Sequence, residues 1–447
     1  MRDGFYKSSF YLTISNLATG ALGFIFIITL SKEIGAEGMG LYGLIMPIYD
    51  LFCCFICGGM TAAISKKSAE YSSNSDFYSL KVLVNTSLVF DLLWGFFIAL
   101  LVFIASPFIS SGIIKDSRAI YPIMLICPSM IFVALSSILK GYFYGTKKVL
   151  IPAIIDIFEK AVRIFILTFL IFKIKTIDLR YTVTFAYFAL MVGETISFIL
   201  LFYNYIKTKP FCFKKGRESK AQILFDTLKI SFPLCLNGFL TTLFGSIASI
   251  TIPRRLMKAG FTYTASLSLI GKFRGMVLTI INFPIFIIIP ICIMLVPDIS
   301  ENLSSDNSEK ISSRIKQVLS LALVIGFFAF IFSYSFSDKL GYLFYKRSDL
   351  GIYIKYASFT APFTFLSVVS YGILNGLGKQ NIMLRNSLFT SGIELALLYF
   401  LTSIPLINVF GIEITMIISS SISFIMNINE ISKEVYLFHP CYKKSRY

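Results

Sequence analysis

Long apolar runs, separated by short charged or turn-rich breaks, dominate this sequence of 447 residues. A helix of about 20 apolar residues is long enough to cross the roughly 30 Å hydrocarbon core of a membrane. The runs lack the polar and apolar alternation of a membrane barrel strand, and most are about twice too long for one. The sequence therefore predicts an all-α polytopic membrane protein with about 12 transmembrane helices, near 8–30, 41–64, 83–106, 120–139, 151–172, 182–206, 230–252, 268–296, 316–337, 354–376, 385–404 and 409–428.

Composition excludes most functions outside the membrane. Hydrophobic residues make up 56% and charged residues 15%, against roughly 45–50% and about 25% in an ordinary soluble protein. No break is long enough for a folded extramembrane domain, and no GxxxxGK[ST] phosphate loop occurs. We expect a secondary transporter and not an enzyme, without a cofactor. Coupling to a proton or sodium gradient or to the membrane potential is left open.

The formal net charge of +17 would suggest a nucleic-acid partner if the charges formed one surface. Most of the Lys and Arg residues lie instead in short breaks between apolar runs, where the positive-inside rule accounts for them. Their distribution predicts a multi-pass protein of the cell membrane with both termini in the cytoplasm and no nucleic-acid partner. The first apolar run is expected to be a span, not a cleaved signal peptide.

Three closely spaced cysteines, Cys53, Cys54 and Cys57, raise the question of a metal site. His439 is the only histidine of the sequence, and no second pair of cysteines has a zinc-like spacing. We therefore expect no metal and interpret the cysteines as small packing residues.

The longest basic break lies between the sixth and seventh runs. It predicts an N-terminal six-helix lobe over 1–206, a cytoplasmic linker over 207–229 and a C-terminal six-helix lobe over 230–447. LSSILKGYFYGTKK (135–148) and LSVVSYGILNGLGK (366–379) share Leu, Ser, Gly, Gly and Lys at one offset. A weaker echo links 63–65 to 298–300. Together they predict an internal duplication, with the two lobes around a central cavity.

The fifth run contains the densest group of intramembrane charges, Asp156, Glu159, Lys160 and Arg163. Their i, i+3, i+4 and i+7 spacing places all four on one helical face, with Asp156–Lys160 and Glu159–Arg163 at the i, i+4 spacing of ion pairs. Such a stripe does not face lipid. Two interpretations stay open: a self-neutralised set of ion pairs that holds the helix, or a site in which Arg163 and Glu159 contact an anionic head group.

The eighth run is long and contains Lys272 and Arg274 in its outer third, followed by Pro284 and Pro290. Proline inside a spanning helix removes a backbone hydrogen bond and favours a kink. We interpret this run as a gating or substrate-lining helix with the two prolines as hinges. The alternative is that both cationic side chains extend to the outer membrane surface.

Asp50, Glu194 and Glu394 lie in the middle thirds of other runs, with no partner evident from the sequence. An ionisable group at that depth is a functional candidate by default. Each residue is assigned either to ion coupling or to a structural ion pair with another helix. Further acids in or near the runs are Asp91, Asp226 and Glu413.

The stretches IGAEGMGLY (34–42), GYFYGTKKVLIPAIIDIFEKAVRI (141–164), IPRRL (252–256) and GLGK (376–379) resemble the stage V sporulation protein B family. That family lies in the polysaccharide-transporter branch of the multidrug, oligosaccharidyl-lipid and polysaccharide exporter superfamily. The resemblance implies two six-helix lobes that work by alternating access. It also implies an undecaprenyl-pyrophosphate-linked sugar as substrate, such as lipid II, moved from the inner to the outer leaflet.

The sequence departs from the pattern of related flippases in its cations. Relatives commonly place an arginine just after the GF of an LGF motif, whereas Phe24 is followed here by Ile25. If a cationic cavity binds the pyrophosphate, its charge has moved to Lys272 and Arg274, with Arg163 contributing from the cytoplasmic side. The expected partners of this monomer are the lipid-linked oligosaccharide and membrane lipids. The alternatives are a cation-coupled multidrug exporter and a non-transporting membrane scaffold.

Overall fold

The computed structural model describes residues 2–173, 178–208, 219–304 and 308–437. These residues form helices joined by short turns, and no strand occurs among them. The helices are α1 (Arg2–Cys57), α2 (Met60–Ser73), α3 (Phe77–Phe108), α4 (Ile120–Gly145), α5 (Leu150–Lys173), α6 (Leu179–Thr208), α7 (Lys220–Lys258), α8 (Tyr263–Ile270), α9 (Leu278–Ile281), α10 (Ile285–Ser304), α11 (Ser308–Ser335), α12 (Ser337–Tyr345), α13 (Gly351–Ala357), α14 (Thr360–Gly376), α15 (Gln380–Leu401) and α16 (Phe410–Leu437). The π-helical turns Ile109–Ile114 and Gly271–Val277 and the 3₁₀ turn Ser117–Ala119 complete them.

The all-α polytopic class predicted from the sequence is confirmed. Within the described residues, eight helical stretches are long and apolar enough to cross a membrane, or nine if the bent pair α13 and α14 forms one span. One stretch, Thr13–Ser73, contains nearly all of the first two predicted runs and bends at Gly35, whose φ is 67°. Helix α5 is not among these stretches, because each of them contains an 18-residue window with at most two charged residues, whereas every such window of α5 contains more.

The chain divides into two compact units, residues 1–250 and 251–447. The first consists of α1–α6 and most of α7, and the second begins in the last turns of α7. The linker predicted over 207–229 falls partly on 209–218, which lie outside the described residues. That boundary and the central cavity stay predictions.

Each unit contains a helix pair that packs through two glycines of the repeated segment. In the first unit, Gly141 and Gly145 of α4 lie against α2, and a Cβ atom at Gly145 would overlap the carbonyl oxygen of Ser65. In the second unit, Gly372 and Gly376 of α14 lie against α10. A missing side chain allows two helix backbones to approach closely, as small residues do throughout membrane bundles. The same contact thus recurs at corresponding positions of the two units, as the predicted duplication requires.

Helix α3 shows how the bundle separates lipid from core. Leu93, Phe96 and Ile104 are more than half exposed, as expected for side chains that contact acyl chains. Val84 and Ile98 on the opposite face are buried. Because apolar side chains cover both faces, the hydrophobic pattern of α3 alone does not tell the core from the lipid surface.

Candidate functional site

The first charged cluster lies between α5 and α6. Arg163 bridges two carboxylates: its Nη2 is 2.6 Å from Glu159 Oε1 and forms a second ion pair with Oε1 of Glu194. The three side chains are 11%, 4% and 13% exposed, respectively. The predicted pair of Glu159 with Arg163 is present, and Glu194, for which the sequence showed no partner, has one.

The remaining charges of α5 pair differently from the spacing-based expectation. Among the described residues, Asp156 forms its ion pair with Lys140 of α4 and not with Lys160; its Oδ1 lies 2.7 Å from Nζ of Lys140. Lys160 lies 3.2 Å from Glu159 Oε2. The expected i, i+4 pair of Asp156 with Lys160 is therefore wrong, because Lys140 of the neighbouring helix α4 forms the ion pair with Asp156. The cluster joins α4, α5 and α6.

This cluster is electrically balanced. Three cations, Lys140, Lys160 and Arg163, face three carboxylates. Gly193 on α6 makes room for the arginine, because a Cβ atom there would lie 3.0 Å from Arg163 Cγ and 3.1 Å from its Nε. The arrangement favours the interpretation of the charges on α5 as structural ion pairs. An added anion would have to displace Glu159 or Glu194, which already pair with Arg163.

The second charged cluster begins at the π-helical turn Gly271–Val277, which carries both cations of the eighth predicted run. Lys272 Nζ lies 2.8 Å from Asp349 Oδ2, in the turn between α12 and α13. Arg347 holds both oxygens of the same carboxylate, through Nε at 2.9 Å and Nη2 at 2.8 Å. These bonds from Arg347, and secondarily from Lys272, hold the pKa of Asp349 well below its ordinary value. The partly exposed carboxylate of Asp349 thus binds both Lys272 and Arg347.

Arg274 lies deeper in the second unit than Lys272. Glu394 of α15 is the carboxylate whose charge interacts with it. Glu394, which the sequence left without a partner, therefore faces a cation of another helix. A π-turn contains one residue more per turn than an α-helix and often occurs at functional sites.

The two prolines of the eighth run have different positions. The helix ends at Ile281 and resumes at Ile285, so that Pro284 lies in the break, whereas Pro290 lies inside α10. The run is therefore not one continuous helix. That these prolines act as hinges stays a prediction.

Asp50 differs from the other candidates, because it is exposed and has no ion pair within the described part of the chain.

Sequence reasoning missed three members of the clusters, Lys140, Arg347 and Asp349. The two cations were counted as loop charges. Lys140 pairs with Asp156 on the next helix, and Arg347 pairs with Asp349 two residues further along a turn, so that a helical spacing rule finds neither pair.

Comparison with known proteins adds to this geometry. The family model described as polysaccharide biosynthesis protein matches residues 5–296, which is well over half of the chain. The chain belongs to the polysaccharide biosynthesis protein family. The family model MatE matches residues 274–400 of this family member.

Curated relatives of this polysaccharide biosynthesis protein include the stage V sporulation protein B of Bacillus subtilis (strain 168). It is 26% identical over 444 residues, covering 97% of this chain and 84% of the relative. The lipid II flippase MurJ of the same organism is 23% identical over 433 residues, covering 91% and 78%. The resemblance seen in the sequence motifs is thereby confirmed over nearly the whole chain.

A solved structure shows the fold. The inward-facing conformation of a multidrug resistance MATE family transporter of the MOP superfamily matches with a TM-score of 0.75 and 16% identity, covering 97% of this chain and 96% of that one. At that identity the likeness concerns the fold alone. The chain therefore has the fold of a MOP superfamily transporter.

Proposed function

We propose that this protein is a membrane flippase that translocates an undecaprenyl-pyrophosphate-linked sugar, lipid II or a related cell-wall precursor, from the inner to the outer leaflet by alternating access. The observation that carries the proposal is the nearly full-length similarity to stage V sporulation protein B and to a lipid II flippase. The protein would lie in the plasma membrane with both termini in the cytoplasm. It would act as a monomer without a cofactor.

The second unit supplies the chemistry that such a substrate requires. A pyrophosphate offers several anionic oxygens, and charge-assisted hydrogen bonds from Lys and Arg are the strong contacts to such groups. Lys272 and Arg347 already hold the carboxylate of Asp349, whose side chain is 41% exposed. A phosphate oxygen would take the position of that carboxylate. Arg274 would then add a deeper contact, balanced by Glu394.

The first unit would have a supporting role. Arg163 is already held by Glu159 and Glu194, and separating buried charges costs several kcal/mol. The cluster would therefore keep α5 against α6 while the substrate binds elsewhere. The opposite assignment, in which Arg163 and Glu159 contact the head group directly, would require these pairs to open.

Native mass spectrometry of the purified protein with undecaprenyl-pyrophosphate, with and without the sugar, tests the binding step. The variant is the double replacement Lys272→Ala and Arg274→Ala. Its matched control is Lys339→Ala with Lys355→Ala, which removes two cations of the same unit that lie over aromatic rings of Phe336 and Tyr334.

We expect wild type and control to retain the lipid in preference to bulk phospholipid, and the Lys272 and Arg274 variant to lose it. Equal retention by all three proteins would refute the assignment of the binding residues. No preference of the wild type for the pyrophosphate lipid would refute the substrate class.

Export of organic cations is a second candidate, favoured by one observation besides the fold. The exposed carboxylate of Asp50 has no ion pair among the residues that the structure describes, and cationic drugs are bound by such groups. Resistance to cationic dyes upon expression, abolished by Asp50→Asn and retained with Asp226→Asn, would establish this function. Unchanged dye sensitivity upon expression of the wild type would exclude it.

A further inference from the structure

One carboxylate of the first unit belongs to neither charged cluster. Asp91 lies on the buried face of α3 and is 0% exposed. Within the described part of the chain, neither of its carboxylate oxygens has a hydrogen-bond partner. Asp91 is 14 residues from the start of a 32-residue helix, or about 21 Å along its axis at 1.5 Å per residue. The group therefore lies near the middle of this apolar helix.

The neighbours of Asp91 offer a hydroxyl and thiols but no counter-charge. Ser87 lies one turn earlier on the same face, and its Oγ is buried without a partner among the described residues. Among the described residues, the thiols of Cys57 on α1 and Cys235 on α7 interact electrostatically with the carboxylate.

Two lysines on the helices packed against α3 pair with other carboxylates. On α4, Lys140 pairs with Asp156 at 2.7 Å. On α2, Lys67 pairs with Glu70 at 3.5 Å. Among the residues that the structure describes, no cation pairs with Asp91 or acts electrostatically on its carboxylate.

An unpaired charge in such surroundings is costly, because the effective penalty for burying one ion is several kcal/mol. Two cations remove that charge in principle, a proton or a metal ion. Metal ions need several oxygen, nitrogen or sulfur ligands at once, and no group of three His, Cys, Asp or Glu residues able to hold one occurs among the described residues. A proton needs only the carboxylate itself.

We propose that Asp91 is a proton-binding site inside the first unit, held as the neutral acid while α1, α3 and α4 stay packed around it. Release breaks the carboxyl O–H bond and transfers the proton to a water molecule that enters when this packing opens; the carboxylate keeps the electron pair. The site stands without the flippase proposal. Its use for coupling, with one proton exchanged per cycle, rests on that proposal.

Infrared spectroscopy of the purified protein at neutral pH tests the site, because a protonated carboxyl group has a C=O stretch distinct from the bands of a carboxylate. The variant is Asp91→Asn, which matches the shape of the neutral acid. Asp156→Asn is the matched control, since Asp156 is paired with a lysine. Thermal unfolding verifies that both variants fold.

We expect a protonated-carboxyl band in the wild type that is lost in Asp91→Asn and retained in Asp156→Asn. A spectrum unchanged by Asp91→Asn would overturn the proposal. A band that disappears upon addition of sodium ions would also overturn it, by assigning the site to sodium.

Translocation in proteoliposomes tests the coupling separately. An imposed pH gradient should accelerate lipid translocation by the wild type but should not change the rate of Asp91→Asn. Equal acceleration of both proteins would refute the coupling role. Absence of translocation by the wild type would refute the flippase proposal, while the infrared result would still decide whether Asp91 binds a proton.

Discussion

Replacing Arg163 by methionine is expected to destabilise the first unit by about 3 kcal/mol. The change removes the cation that bridges Glu159 and Glu194, whose side chains are 4% and 13% exposed. Removing one partner of a buried ion pair costs about 3–5 kcal/mol, because the other charge stays buried without compensation. We expect the lower end of that range, since Lys160 still lies 3.2 Å from Glu159 in the variant.

The single tryptophan of the chain makes this change measurable. Trp94 lies in α3 of the first unit and packs against Phe55 and Phe97. Its fluorescence during denaturation of the purified protein with SDS therefore reports on that unit.

Two further variants show whether the loss of stability comes from the unpaired charge or from the lost packing of the arginine side chain. Replacing all three charges, by Arg163→Met, Glu159→Gln and Glu194→Gln, leaves none of these three buried side chains charged. Lys160 loses Glu159 in this variant, but its side chain is 30% exposed, so that stability should return to within about 1 kcal/mol of the wild type. Lys67→Met is the control for an exposed pair, because Glu70 is 52% exposed, and should cost less than about 1 kcal/mol. A loss below about 1 kcal/mol for Arg163→Met, or a triple variant as unstable as the single one, would refute the reasoning.

Three other predictions follow from single contacts. Gly145→Ala should cost about 2 kcal/mol because its Cβ meets a backbone oxygen, whereas Gly376→Ala, whose nearest atom would be 3.2 Å away, should stay within about 1 kcal/mol; unfolding midpoints of the two variants test this. A double-mutant cycle of Lys140→Met and Asp156→Asn, 2.7 Å apart, should give a coupling energy of about 1 kcal/mol, and none if the pair is absent. Because folding lowers the pKa of Asp349, its ionised carboxylate stabilises the fold at a pH above the ordinary pKa of 3.8. This contribution is lost as the pH falls through the folded-state pKa. The melting temperature of Asp349→Asn should therefore fall less below about pH 4 than that of the wild type; parallel curves would contradict it.

Hydropathy alone predicted the all-α membrane class, since no other structure satisfies the backbone of such long apolar runs in lipid. The Glu159–Arg163 pair was also predictable, because i and i+4 residues share a helix face. The partners of Asp156 and Glu194 were not, as both come from other helices. Only the packing of α4, α5 and α6 brings those groups together.

The surroundings of Lys272 could not be predicted from the sequence either. The sequence placed this cation in the outer part of a span, but the π-helical turn that carries it leaves no signature in the hydrophobic pattern. Its partner Asp349 lies in a short turn, outside the apolar runs from which the charged candidates were drawn. The repeated glycines, in contrast, were visible as a motif, and their helix contacts explain why the motif occurs in both halves.

Translocation of a labelled undecaprenyl-pyrophosphate sugar across proteoliposomes tests the proposed function most directly. The account predicts that wild type and the Lys339→Ala, Lys355→Ala control move the lipid to the opposite leaflet, and that Lys272→Ala with Arg274→Ala abolishes this movement while the protein stays folded. Wild-type proteoliposomes that move the lipid no faster than protein-free vesicles would contradict the proposal.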